Sequence, residues 1–394
     1  VLLVLSAAHA RGQTTSVQKT QVFSGVIKEV FSQGGKDGLL HDPNGSSCTD
    51  GGDGEFGFHM NPVGTLRVRC ATNGANLSGG SGGSTTALTN ESSPSKERLI
   101  EKAVGAWNLY VSADYEHFQK QETEFEPAYK NYIWRGAVGA DYLLESVTFG
   151  GALRYIHDNG NFSGSDQFNP NFENNSYGAV LYVNTAPMEN SFLSASVQYL
   201  RQNFDLERAV FFDEQNSGAS KEFIGNVQGH PYGNEYEMQL TGGYDFHFGS
   251  VSLGPTLALN YLYDRISDYS ESGNTGLELR YTNQEQQSLT TKLGAHASFA
   301  ISTSFGVIIP QVAGEYVHEF LDPQRKTDFT FVQDLNQVRF TFQNDRPDRD
   351  YFTANAGVVL QLAHGVAPFV NFRTLLGYNA ETSRQVTAGA RFEF

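Results

Sequence analysis

The sequence is short of three things: long apolar runs, cysteines and basic residues. Each shortage closes a class of protein. A helix that crosses a bilayer needs about 20 consecutive apolar residues. The opening run VLLVLSAAHA stops at residue 10, and no other stretch approaches that length. Lys and Arg number 27 against 43 Asp and Glu, for a net charge of −16. That balance argues against a general nucleic-acid binder, because phosphate attracts positive surfaces. Leu, Ala, Glu and Lys do not dominate, so a helical bundle is not favoured. H-E-x-x-H and P-loop patterns are missing, and with them the commonest signs of a zinc protease or a nucleotide hydrolase. CTDGGDGEF offers Asp50, Asp53 and Glu55 but lacks the D-x-D-x-D-G spacing of a calcium loop, so it reads as a solvated turn. No cofactor is implied.

The two cysteines are Cys48 and Cys70. Residues 1–10 end in Ala8-His9-Ala10, the small-residue pattern at a secretory cleavage site. With no initiator methionine or basic stretch before it, the run reads as a signal-peptide remnant. The mature chain is then expected to start near Arg11 and to be exported. In an oxidising compartment Cys48 and Cys70 are expected to form a disulfide, the alternative being a free or metal-binding pair.

What the chain does have is aromatic residues, at 13%, with 29 Phe and 19 Tyr, and 41 Gly. Aromatics favour strands and Gly favours turns, which points to an all-β protein. Residues 11–95 stand apart as a Gly-, Ser- and Asn-rich segment and linker. Within it TLRVRC reads as a strand and VFSGVIKEVFSQ as a short helix. Ser95 can cap a further helix over 96–105, SKERLIEKAV with its flanks.

From residue 106 onward the pattern is alternation with period two, the mark of strands with unlike faces. Twelve strands can be counted. One set of faces is apolar: Trp107, Leu109, Val111, Ala113 and Tyr115 in the first, Val251, Leu253, Leu257, Leu259 and Tyr261 in the seventh, and Val386, Ala388, Ala390 and Phe392 in the last. Short turns fall at 145–146, 186–190, 249–250, 302–305 and 364–365. Long polar loops fall at 117–130, 158–174, 203–233, 265–286 and 321–349, and a shorter hairpin lies around 379–383. Twelve strands alternating short turns with long loops describe a transmembrane antiparallel β-barrel, in which lipid meets only every second side chain. Mean hydropathy, at −0.38, is therefore uninformative about membrane insertion. Lipid offers the backbone no hydrogen bonds, so strand twelve must close on strand one. The expected setting is the bacterial outer membrane, with outer-membrane lipid as the first partner and no nucleic acid.

The opposite faces carry Asp114, Glu116, Arg135, Asp141, Arg154, Glu237, Asp245, Lys292, Arg373, Arg391 and Glu393. Inside a barrel these charges either line a pore or pair with one another and with the 96–105 helix. His247, His296 and His318 lie on strands near carboxylates, but an enzyme would need such a set to converge at one depth. No enzyme is expected.

The last eight residues, TAGARFEF, resemble the C-terminal β-signal read by the barrel-assembly machinery: a polar Thr387, then Gly389, Phe392 and Phe394. The stretch from about 106 to 394 resembles the autotransporter β-domain, the type V secretion translocator. AWNLYVSADYEHF is similar to that family's opening strand, VIIPQVAGEYVHEF to a later one and SYGAVLYVNTAP to a middle one. KERLIEKA sits where the family places a helix in the pore. The resemblance covers about three quarters of the chain. It implies a barrel that anchors or displays the chain's own N-terminal segment. The sequence departs from the family in having only about 85 residues before the barrel, so a large passenger is not expected. The alternatives are a passive porin-like channel and a structural or adhesive protein whose long loops bind a surface partner.

Overall fold

The computed structural model describes residues 56–60, 66–70, 98–100 and 107–394, except 125, 145–146, 163–170, 189, 213–221, 322–325, 363–364 and 394. Twelve antiparallel strands close into a barrel: β1 (Trp107–Lys120), β2 (Tyr129–Leu144), β3 (Val147–Phe162), β4 (Asn171–Thr185), β5 (Ser191–Phe212), β6 (Tyr232–Tyr244), β7 (Val251–Ile266), β8 (Gln284–Phe299), β9 (Gly306–Glu319), β10 (Asp350–Leu362), β11 (Val366–Leu376) and β12 (Glu381–Glu393). Each pairs with its sequence neighbours, and β12 pairs with β1 from Glu381 opposite Lys120 to Glu393 opposite Asn108. That closure leaves no open edge within the barrel, as lipid requires. The expected twelve strands and their seam are the ones observed.

The faces follow the alternation. Leu109, Val111, Val138, Leu153, Leu181, Val197, Leu240, Leu257, Leu293, Val312 and Val370 form an exposed outer band. Outward rings bound it at two levels. Trp107, Phe149, Phe246, Phe248, Phe299 and Phe392 lie toward the short turns, and Tyr132, Trp134, Tyr155, Tyr177, Tyr199, Tyr236 and Phe352 toward the long loops. These are the two interfacial girdles of a membrane barrel.

Inward aromatic rings sit on glycines directly across the ladder: Tyr110 on Gly139, Tyr182 on Gly150, Phe172 on Gly160, Phe192 on Gly243 and Phe369 on Gly389. A Cβ at Gly150 would stand 2.1 Å from the Tyr182 ring, so only a residue without a side chain lets the ring lie flat on the wall.

One expectation before the barrel is corrected. Arg98–Ile100, in the middle of the expected 96–105 helix, form a strand paired with Leu66–Val68, so a pore helix is not shown. A ten-residue helix has little stability of its own, and pairing offers the same backbone groups a ladder. The rest of that stretch, Cys48 and residues 22–33 lie outside the described residues. Leu66–Cys70 is a strand, as expected, paired with Phe56–Met60.

The long loops also carry more structure than their polarity suggests. β5 continues to Phe212 and pairs with Glu222–Gly229, so the expected 203–233 loop is largely a hairpin rising from the wall. The 265–286 and 321–349 loops build a four-stranded sheet from Tyr269–Ser270, Leu279–Tyr281, Lys326–Phe331 and Phe340–Gln343. Leu279, Tyr281 and Phe329 are its buried core, with Tyr269, Phe331 and Phe342 against them. The alternation in KTDFTF and FTFQ is the sequence trace of that sheet.

Candidate functional site: the lumen of the barrel

The lumen is built from the even-numbered side chains of β1, the odd-numbered side chains of β2 and their counterparts around the ring, because side chains alternate strictly between wall faces. Eight of the expected lumen charges are buried inside: Asp114, Glu116, Arg135, Asp141, Arg154, Glu237, Lys292 and Arg391. Asp245 and Arg373 are half-buried, and the Glu393 side chain lies outside the described residues.

On the wall around the seam these charges pair closely. Arg135 of β2 spans two carboxylates of β1, with N–O distances of 3.0 Å to Asp114 and 2.5 Å to Glu116. Gln385 of β12 donates to Asp114 at 2.9 Å, and Ser383 donates to Glu116 at 2.6 Å. Toward the short turns, Arg391 of β12 grips Asp141 of β2 in a fork of 2.7 and 2.9 Å. Asn108 and Tyr182 complete that carboxylate at 2.7 and 3.0 Å. Both networks join β12 to β2 across β1, so they fasten the closure from within. Charged bonds of this kind are strong where water is excluded.

The long-loop end is closed twice. Phe118, Tyr129, Phe162, Phe172, Phe204, Leu206 and Ile266 form an apolar cluster inside the wall. Beside it the Lys120 ammonium lies 2.7, 3.0 and 3.3 Å from Glu126, Asp345 and Glu381, tying two loops to the seam strands. Outside the membrane, Arg208 grips Glu271 under the loop sheet, with Nε 2.8 Å from the carboxylate. Burial alone would raise the Glu278 carboxyl, but hydrogen bonds from its own backbone, the Thr275 N–H, Gln333 and the Thr275 hydroxyl hold it below the usual carboxylate range.

From β3 round to β8 the pairing is looser. Arg154 donates to Gln198 at 2.6 Å, and Gln198 in turn donates to Glu235 and Glu237 at 3.2 Å each. Among the described residues Lys292 makes no hydrogen bond or ion pair, and Glu237, Glu315 and Arg373 are the charges that act on it at longer range.

The three histidines do not converge. His296 meets Asp245 at 2.6 Å near the short turns, His247 is exposed at that end, and His318 pairs with Asp350 on the outer surface at the long-loop end. Sequence reasoning missed the Lys120 cluster, because Lys120, Glu126, Asp345 and Glu381 lie in four separate segments. It also missed the ring–glycine pairs, whose signal is a glycine across from an aromatic once the register is known. In the C-terminal stretch, Thr387 is buried in the lumen, Phe392 faces outward and Phe394 lies outside the described residues. Gly389 lies beneath Phe369, where a Cβ would approach the ring and the Val111 carbonyl oxygen to 2.5 Å.

A closed twelve-stranded barrel with two aromatic girdles defines the class: an outer-membrane barrel. The model of the autotransporter β-domain matches residues 109–373, and the chain belongs to that family. Among solved structures, the translocator domain of the autotransporter NalP from Neisseria meningitidis aligns with a TM-score of 0.56 at 12% identity, over 73% of this chain and 88% of that one. The β-domain of the Bordetella autotransporter BrkA gives 0.48 at 14% identity, over 73% and 100%. The transport unit of AIDA-I from Escherichia coli gives 0.44 at 11%, over 75% and 93%. No curated protein matches the sequence. The protein is thus an autotransporter translocator-like barrel of the bacterial outer membrane.

Proposed function

We propose that the barrel anchors and displays the chain's own N-terminal segment, residues 11–95, holding the residues before Ala106 in its lumen. The observation that carries this reading is the position of Trp107. It starts β1 in the short-turn girdle, so a segment exposed on the long-loop side has to run the length of the lumen. The loosely neutralised wall, with Lys292 and the Arg154–Gln198 network, offers donors to such a segment. Glu91, Glu97 and Glu101 are acidic residues that would pass close to it. Its role is mechanical rather than catalytic. Thr387, Gly389, Phe392 and Phe394 would be read by the barrel-assembly machinery during insertion, and Cys48 and Cys70 would staple the displayed segment. Glu393 would join the lumen charges.

The test is a tag near Gly80, labelled on intact and on lysed cells. Labelling of intact cells is expected. Labelling only after lysis would sink the display reading and leave a porin-like channel with a periplasmic segment. A surface role for the loops has its own support in the ordered four-stranded sheet, whose turn exposes Val332, Leu335 and Val338. Deleting 326–343 should then abolish binding of a surface partner without impairing insertion.

A further inference from the structure

Charge on the lipid-facing side is distributed unevenly around the barrel. On β11, β12, β1, β2 and β3 the acids whose side chains are described, Glu381, Asp114, Glu116, Asp141 and Asp158, are all buried in the lumen. The outward face of those five strands carries Arg384, His117, Lys130 and His157 instead. Outward acids reappear beyond β3: Glu207 of β5 accepts from the Asn226 amide at 2.8 Å, and four others lie beside a basic neighbour. Glu173 lies 3.6 Å from His157, Asp205 2.7 Å from His230, Glu285 3.7 Å from Arg265 and Asp350 2.7 Å from His318. Lys130 and Arg384 are exposed and, among the described residues, have no carboxylate within ion-pair distance. A protein with a net charge of −16 therefore keeps, among the described side chains, five adjacent strands free of outward acid.

The cations also share a depth. Arg384 is directly opposite His117, His117 is opposite Tyr132, and Lys130 is opposite Gln119. The His117 and Tyr132 rings stack at 5.0 Å and 13°, and the Gln119 amide lies 3.2 Å from the imidazole. Tyr115 packs 6.4 Å from Tyr132 and 4.7 Å from Trp134, and the three rings form the girdle at this point. Arg384, His117 and Lys130 stand at or just beyond those rings on the long-loop side. Girdle rings mark the headgroup level, and long loops mark the outer face. The strands lie about 4.8 Å apart, so the three basic groups span roughly 10 Å. Below them Val386, Val111, Val138 and Leu153 present an apolar wall.

We propose that this arc is a binding site for a phosphorylated lipid of the outer leaflet. Arg384 and Lys130 donate to phosphate, and the apolar wall below takes the acyl chains. Arg suits phosphate through its planar fork and Lys through its point charge. The proposal rests on the outer-membrane barrel, not on display of the N-terminal segment.

The test uses the purified full chain in neutral detergent, with lipid A as the probe and dephosphorylated lipid A as the control. Binding is read by native mass spectrometry, and folding by the mobility shift between heated and unheated samples. Lipid A should bind and the dephosphorylated form should not. Arg384→Gln and Lys130→Gln should each weaken binding about fivefold, and the pair about thirtyfold. Arg265→Gln with Arg201→Gln, on the far wall, should leave it unchanged. Equal binding of the dephosphorylated lipid would overturn the site, as would an unaffected double variant that is folded. Displacement by millimolar inorganic phosphate would reduce it to a general anion site and overturn its assignment to lipid.

Discussion

The seam strands β12, β1 and β2 and the wall from β3 to β8 use the same residue types for different ends. Around the seam, Arg135 is held by two carboxylates of neighbouring β1 and Arg391 by Asp141 across β1, and every oxygen of Glu116 and Asp141 meets a donor. From β3 round to β8, Lys292 has no ion pair among the described residues, and Arg154 reaches Glu235 and Glu237 only through Gln198. The outer surface repeats part of the asymmetry: among the described residues Lys130 and Arg384 outside the seam meet no carboxylate, while Asp205, Glu285 and Asp350 on the far side each lie beside a base. The difference suggests that interior charge near the closure is structural, while charge on the opposite wall remains available to what the lumen holds. Burying an ion without a partner is costly, so a lysine left in that state belongs in a hydrated or occupied lumen.

The contrast can be broken most directly at the seam. Arg135→Ala leaves Asp114 and Glu116 buried without their cation, and should destabilise the barrel by about 3–5 kcal/mol. Urea unfolding in detergent, followed by the heated-against-unheated mobility shift, would measure it. A loss below about 1 kcal/mol would mean the seam is held by the ladder alone. Next in size, Gly389→Val should cost about 1–3 kcal/mol through overpacking against Phe369 and the Val111 carbonyl. Phe369→Ala in the same chain should recover part of that loss, whereas a pure defect in recognition by the assembly machinery would not respond to Phe369. Lys292→Met sharpens the comparison from the other side. With no ion pair to lose, it should be neutral or slightly stabilising in the same urea assay, and a loss as large as that of Arg135→Ala would erase the distinction between walls.

The smallest effect belongs to the loop sheet. The Glu278 carboxyl lies below its usual range in the folded state, so its contribution is present above the unfolded pKa and is lost as pH falls through the lower folded value. Limited proteolysis should therefore open the 326–343 hairpin in acid while the barrel stays intact. Glu278→Gln should weaken the sheet already at neutral pH and flatten that acid dependence. Cleavage that is independent of pH in both chains would remove Glu278 from the account.

Twelve strands, their facing and the seam were legible before any coordinates, because lipid and lumen impose opposite chemistries on a residue and on its neighbour. Asp114, Glu116, Arg135, Asp141, Arg154, Glu237, Lys292 and Arg391 were placed inside by the same alternation. The loop sheet was not legible. Its strands are three to six residues long for the most part, and its central pairing, Leu279–Tyr281 with Phe329–Phe331, joins segments some 50 residues apart in a polar background. The helix at 96–105 was read from local propensity, which pairing of Arg98–Ile100 with Leu66–Val68 overrides.

The sequence by itself determined which side chains meet lipid and which meet the lumen, since period two is a property of the strand alone. Only the closed barrel decided which charges meet. Arg391 and Asp141 are 250 residues apart, and Lys120 and Glu381 are 261 apart. Their contacts depend on the β12–β1 register, which no local stretch encodes. The acid-free outer arc has the same origin, because it becomes continuous only when the last strands lie beside the first.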